Sequence, residues 1–186
     1  MNRQKKFQLR SYAKRLNSLI ELVKLSTNRA KVSIVAHSMG GLVAREYIKE
    51  FGGDSINKLI MIGTPNHGVY GNIDSFCGAT GAAVECKEMS STSNFIASLN
   101  AASDTSKNIK IYTITGTGCN SISFGDGDGI VKSSSVPLDN GKNYEIKHNN
   151  KNSCQNLITQ ETMHSDLLNP KIYPEVLDYV KKILQE

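Results

Sequence analysis

One hexapeptide constrains the fold more than any other part of this 186-residue chain: Ala36-His37-Ser38-Met39-Gly40-Gly41. Before it lies Lys31-Val32-Ser33-Ile34-Val35-Ala36, a short run rich in β-branched residues that reads as a buried strand. After it, Leu42 to Phe51 has a helical pattern that Gly52-Gly53 closes as a C-cap. Lys58 to Gly63 is a second apolar run. Strand, tight turn, helix and strand at this spacing make a βαβ unit with parallel strands, which places the chain in the α/β class.

The turn carries a serine flanked by small residues two before and two after. This is the elbow pattern G-x-S-x-G with Ala36 in the first glycine's place. The spacing has a physical reason. A strained strand-to-helix turn lifts Ser38 Oγ off the sheet, and bulk at either flank would collide as strand and helix approach. The turn also aims the Met39 N–H and the following helix N-terminus at the space beside Ser38, where negative charge is stabilised. An ordinary turn serine is the bland alternative, and the apolar strand and glycine pair on either side argue against it.

AHSMGGLVAREYIKEFGG followed by KLIMIGTPNHGVYG resembles the lipase and esterase branch of the α/β-hydrolase superfamily, small bacterial triacylglycerol lipases in particular. Cys86-Lys87-Glu88-Met89 and Ser93 to Asn100 are similar to the same branch. The resemblance runs from about residue 12 to the C-terminus. It implies an α/β-hydrolase fold, a mostly parallel sheet flanked by helices, with residues 1–186 as a single domain and 64–108 as a cap-like or lid-like insertion. It also implies a serine esterase or lipase that hydrolyses carboxylic esters, acylglycerols among them, through a Ser-Asp-His triad and an acyl-enzyme. No cofactor or metal is required by that chemistry. The implied partner is an ester or lipid substrate, with room for contact with a lipid interface and no nucleic acid.

In this superfamily the triad follows the chain order Ser, acid, His. Gly125-Asp126-Gly127-Asp128-Gly129-Ile130-Val131 holds two acids, and Asp128-Gly129-Ile130-Val131 resembles the family's Asp-Gly-x-Val. Asp128 is therefore the expected acid, with Asp126 as rival and hydrogen-bonding loop residue. The two also suit a plain turn rich in left-handed positions. A calcium reading lacks the bidentate acid at EF-hand spacing. Only His148 and His164 follow the acid. His164, just before the terminal helix, matches the family's placement, and His148 is the alternative. Met39 N–H is the expected oxyanion donor. His37 is read as structural and pointing away from the site, and His67 as a loop residue.

The rest of the chain is expected to add strands at 109–115 and 143–148, a short helix about Phe95 to Leu99, a polar loop from Asn149 to Met163 and a helix from Pro170 to Leu184. An amphipathic helix at 7–27 precedes the elbow strand, its apolar face formed by Leu9, Tyr12, Leu16, Leu19, Ile20 and Val23. A complete relative has further strands before that helix, one ending in a His-Gly loop that supplies a second oxyanion donor. By that comparison the fold is N-terminally truncated with about four core strands, and the elbow strand becomes an open edge. Losing one oxyanion donor costs about 100- to 1000-fold in rate. The alternative function is accordingly a catalytically impaired hydrolase fragment.

Charge and cysteines add less. The net charge is +5, yet residues 1–31 alone carry nine Lys or Arg against one acid, Glu21. Such a segment fits a solvated helix face better than a nucleic-acid site, since no aromatic interleaving or zinc-finger pattern accompanies it. A basic-helix binding protein is the third reading. No apolar run of about 18 residues is present to span a membrane, and the basic start lacks the apolar core of a signal peptide; full-length relatives are often secreted. Cys77, Cys86, Cys119 and Cys154 suit two disulfides or four thiols, with Cys77–Cys86 and Cys119–Cys154 the natural pairs. Without a CxxC spacing, a structural zinc site is not expected.

Overall fold

The computed structural model describes residues 8–71, 83–102, 109–119, 125–149, 154–156 and 161–186. Four strands form one parallel sheet in the order β1-β2-β3-β4: Val32–His37, Ile56–Ile62, Lys110–Thr117 and Lys142–Lys147. The first three were legible as apolar or β-branched runs and the fourth, polar but for Tyr144 and Ile146, was expected at 143–148; each expectation lies within two residues of the strand. A two-stranded antiparallel hairpin, β5 (Gln155–Asn156) and β6 (Glu161–Thr162), stands apart from the sheet. It replaces part of the polar loop expected between Asn149 and Met163. Two-residue strands leave no hydrophobic period to read.

Helix α1, Gln8–Thr27, and α2, Met39–Phe51, cover one face of the sheet. Their Ala13, Ile20, Ala44, Tyr47 and Ile48 pack on Ile56, Leu59, Met61, Ile109 and Ile111. On α1, Leu9, Ala13 and Ile20 are buried, but Leu19 and Val23 of the expected apolar face are exposed. Helix α2 begins directly after Ser38, three residues earlier than the apolar pattern suggested, because Met39 and the two glycines complete its first turn. Short helices α3 (Ala83–Glu88) and α4 (Asn94–Ala101) follow β2. Phe95, Ile96 and Leu99 of α4 pack on Leu9 and Leu42. The rest of the expected 64–108 insertion lies partly outside the described residues.

The other face is covered by α5 (Met163–Asp166) and α6 (Pro174–Gln185). Pro174 sits at the first helical position, where its missing N–H costs nothing, so the terminal helix starts there and not at Pro170. Ile60, Ile62, Tyr112, Ile114 and Ile146 meet Met163, Leu167, Tyr173, Val176 and Ile183 across this layer. Strand β2 therefore buries alternate residues on both faces, which is why it reads as a continuous apolar run. Lys58 near its start is also buried; its Nζ donates to the Ile183 and Leu184 carbonyls at 2.7 and 3.2 Å, capping the end of α6. Among the described residues, no helix is long and apolar enough to cross a membrane.

Candidate active site

The C-terminal ends of β1, β2 and β3 converge on Ser38. Its backbone has φ 53° and ψ −128°, a sparsely populated region for a residue with a Cβ that costs about 1–3 kcal/mol. Hydrogen bonds hold the turn there. Ser38 N donates to the Ile62 carbonyl at 2.9 Å, Thr64 Oγ1 donates to the Ser38 carbonyl at 3.0 Å, and Gly41 N donates to the same carbonyl at 3.1 Å. The N–H groups of Met39 and Gly40 begin α2, where the first amides have no intrahelical acceptor and carry the helix's positive end.

The expected steric reason for small flanks applies at a different residue. A Cβ on Gly40 would meet only the Ala36 Cβ at 3.8 Å, an ordinary contact. On Gly41 it would come within 2.2 Å of Thr64 Oγ1. The tight approach is thus between the second glycine of the pair and the threonine that clamps the elbow.

Asp128 and His164 meet beside this turn. Asp128 is 0% exposed. One carboxylate oxygen, Oδ1, accepts from the N–H groups of Ile130 and Val131 at 3.0 and 2.7 Å, so the Asp-Gly-Ile-Val loop folds around its own acid. The other, Oδ2, lies 2.7 Å from His164 Nδ1. A carboxylate only accepts, so Nδ1 carries a proton, and in the neutral imidazole Nε2 is then the atom with the lone pair. A second bond, His164 N to the Asp128 carbonyl at 2.9 Å, fixes the histidine backbone to the acid's own residue. Helix α5 presents His164 because Thr162 caps it, its side chain accepting from Ser165 N.

Three residues at this site were not anticipated. Gly63 has φ 56°, and a Cβ there would lie 3.1 Å from His164 Nδ1 and Cε1 and 3.2 Å from Asp128 Oδ2. Gly116 makes the same allowance on β3, where a Cβ would sit 2.7 Å from that of Asp128. Each follows a strand core, a signal open to sequence reading. His37 was expected to point away; instead its Nε2 donates to the His164 carbonyl at 2.9 Å and its ring lies 4.5 Å from the His164 ring. Strand alternation explains this. His37 shares a sheet face with Val35, which lines a groove with Leu167 and Leu168, next to His164. Burial, then the neighbouring His164, push the His37 pKa below its ordinary value.

The rival residues lie elsewhere. Asp126 is exposed and accepts from Gly118 N at 2.7 Å, a loop contact. His148 lies just past β4, with Nδ1 2.9 Å from the Tyr173 hydroxyl. In the Thr64-Pro65-Asn66-His67-Gly68 turn, His67 Nε2 contacts the Pro137 carbonyl at 3.0 Å. Buried Asn66 donates to the Val136 carbonyl and accepts from Arg45, whose pKa burial pushes down to about 10. That turn ties the elbow to the segment after the acid loop. Cys119 and Cys154 form a disulfide. Cys86 is also disulfide-bonded, and Cys77, its expected partner, lies outside the described residues.

A parallel sheet between helical layers, with a strained serine at a strand-to-helix turn, an acid on a loop after the third strand and a histidine on a short helix beside it, defines the α/β-hydrolase architecture. The chain belongs to the family described as alpha/beta hydrolase of unknown function (DUF915), which matches residues 1–186. No curated protein matches by sequence. Solved structures share the fold at low identity. The mature form of a Bacillus licheniformis lipase is similar with a TM-score of 0.60 at 16% identity, covering 90% of this chain and 74% of its own. A Listeria innocua gene product gives 0.59 at 18%, covering 97% and 69%. A Legionella pneumophila phospholipase gives 0.54 at 15%, covering 67% and 33%.

Proposed function

We propose that this hydrolase cleaves carboxylic esters, lipid esters among them, through Ser38, His164 and Asp128. The observation that carries the reading is the buried Asp128–His164 pair, bonded through both side chain and backbone, beside a serine held in strained backbone geometry. The names of the lipase and phospholipase neighbours favour acyl esters of lipids as the substrate class.

In this mechanism Ser38 Oγ attacks the ester carbonyl while His164 Nε2 takes its proton. Asp128 holds the imidazole in the Nδ1–H tautomer and stabilises the imidazolium as it forms. The oxyanion faces Met39 N–H and the N-terminus of α2. The imidazolium then protonates the departing alcohol. Water, deprotonated by the same Nε2, releases the acid and restores Ser38. Among the described residues, no hydrogen bond joins Ser38 Oγ to the imidazole; such contacts commonly tighten only when substrate is bound.

A fluorophosphonate probe should label Ser38, and Ser38→Ala should lower hydrolysis of p-nitrophenyl acetate and of a longer acyl ester by about 10⁶-fold or to background. Full activity in that variant would refute the reading. Labelling without measurable turnover would favour the impaired hydrolase instead.

A further inference from the structure

Outside the Ser38 site, three ligand-bearing side chains converge from separate elements. Cys119 follows β3, His148 follows β4 and Cys154 precedes β5, and one ligand atom from each lies within 4.8 Å of the others. In the oxidised chain the two sulfurs are bonded to each other. His148 is already oriented: its Nδ1 is engaged by the hydroxyl of buried Tyr173, and among the described residues Nε2 has no hydrogen-bond partner.

We propose that reduction of the Cys119–Cys154 disulfide converts this cluster into a site for one thiophilic divalent cation, Zn²⁺ foremost, held by Cys119 Sγ, Cys154 Sγ and His148 Nε2. The ligand chemistry selects the metal. Two thiolates and an imidazole suit Zn²⁺ and disfavour Mg²⁺ or Ca²⁺, which take oxygen ligands. Tetrahedral bonds of about 2.3 Å to sulfur and about 2.05 Å to nitrogen put ligand atoms roughly 3.6–3.8 Å apart. The observed cluster is within reach of that spacing once the S–S bond opens. Tyr173 would serve as the outer partner that fixes the histidine tautomer, accepting from Nδ1–H. Three protein ligands leave one position for water.

The chemistry balances with a trialkylphosphine as reductant. The phosphine and one water become phosphine oxide, and the disulfide becomes two thiols. Zn²⁺ then displaces one proton from each thiol as it binds. The metal would restore a crosslink at a sensitive place. Cys119 N donates to the Gly127 carbonyl at 2.9 Å, one residue before Asp128, and the Cys154 carbonyl lies 2.8 Å from where a Gly129 Cβ would be. Disulfide and metal thus brace the same acid loop under oxidising and reducing conditions. The binding site itself does not depend on the proposed ester hydrolysis.

The test uses the full chain, phosphine-reduced without oxygen, loaded with Zn²⁺, desalted and assayed for bound zinc. The expected result is roughly one zinc per chain after reduction and none in the oxidised protein. The Co²⁺-loaded reduced protein should show thiolate-to-cobalt charge-transfer absorption. Tyr173→Phe, which keeps the ring and removes the outer hydrogen bond, should weaken Zn²⁺ binding about 10- to 100-fold. His148→Ala should weaken it at least as much. Cys119→Ser with Cys154→Ser should abolish it, whereas Cys77→Ser with Cys86→Ser should retain it. Equal loading of oxidised and reduced protein, no loading after reduction, unchanged affinity in His148→Ala, or zinc that follows the Cys77 and Cys86 pair would each overturn the proposal.

Discussion

At the scale of single residues, the site depends on what is small as much as on what is reactive. Gly63 provides both a left-handed backbone and the space into which the His164 ring and Asp128 pack. Gly63→Ala should lose about 1–2 kcal/mol in urea unfolding from backbone strain alone, and its methyl should displace the imidazole. Ester hydrolysis should therefore fall through kcat more than through KM. Gly52→Ala is the control. It too has a positive φ, 80°, but nothing lies within 4 Å of the added methyl, so stability should drop with activity per folded molecule kept.

His37 adds a pH dependence of its own. Burial and His164 lower its folded pKa, so below about 6.5 the unfolded chain takes up a proton that the folded chain resists. Its contribution to stability is full above that pH and falls as pH drops from 6.5 towards the lowered folded value. In His37→Gln that portion of the pH–Tm curve should flatten. An unchanged curve between pH 7 and 5 would show that His37 is not the group responsible.

At the scale of elements, α6 is held at its end by a charge buried in a strand. Lys58 lies on β2, where a continuous apolar run would lead one to expect another hydrophobic residue, and it bonds the last carbonyls of a helix 125 residues away. Lys58→Met keeps the length and loses the donor. It should cost about 1.5–3 kcal/mol, the range for hydrogen bonds to charged groups, by denaturant unfolding. A neutral result would mean that water replaces the ammonium without loss. The same element shows what alternation determines: Leu59 and Met61 face α1 and α2, Ile60 and Ile62 face α6, and the site residues follow where the strand ends.

At the scale of the whole molecule, the sheet formed by the described residues has β1 at its edge. Among the described residues, strand β1, the elbow strand, pairs with β2 alone, and Val35 on it is 47% exposed in an apolar groove with Leu168, Tyr173 and Leu177. Unpaired backbone beside apolar surface favours edge-to-edge association. Val35→Lys should lower self-association in sedimentation velocity at equal concentration, without changing probe labelling of Ser38. Association unaffected by the lysine would place any contact elsewhere.

The order of elements and the local chemistry were decided by the sequence. Three apolar or β-branched runs, a serine between strand and glycine pair, and Asp-Gly-Ile-Val each carry their signal within a few neighbouring residues, because strand burial, turn geometry and loop hydrogen bonds are short-range effects. The tertiary structure alone decided what meets across the fold. It paired Asp128 with His164 at a separation of 36 residues, turned His37 onto that histidine and set Gly63 and Gly116 beneath the pair. It also gathered Cys119, His148 and Cys154 without any metal-binding spacing in the chain. Parallel strands end side by side whatever the length of the connections between them, so residues distant in the sequence come together at the strand ends.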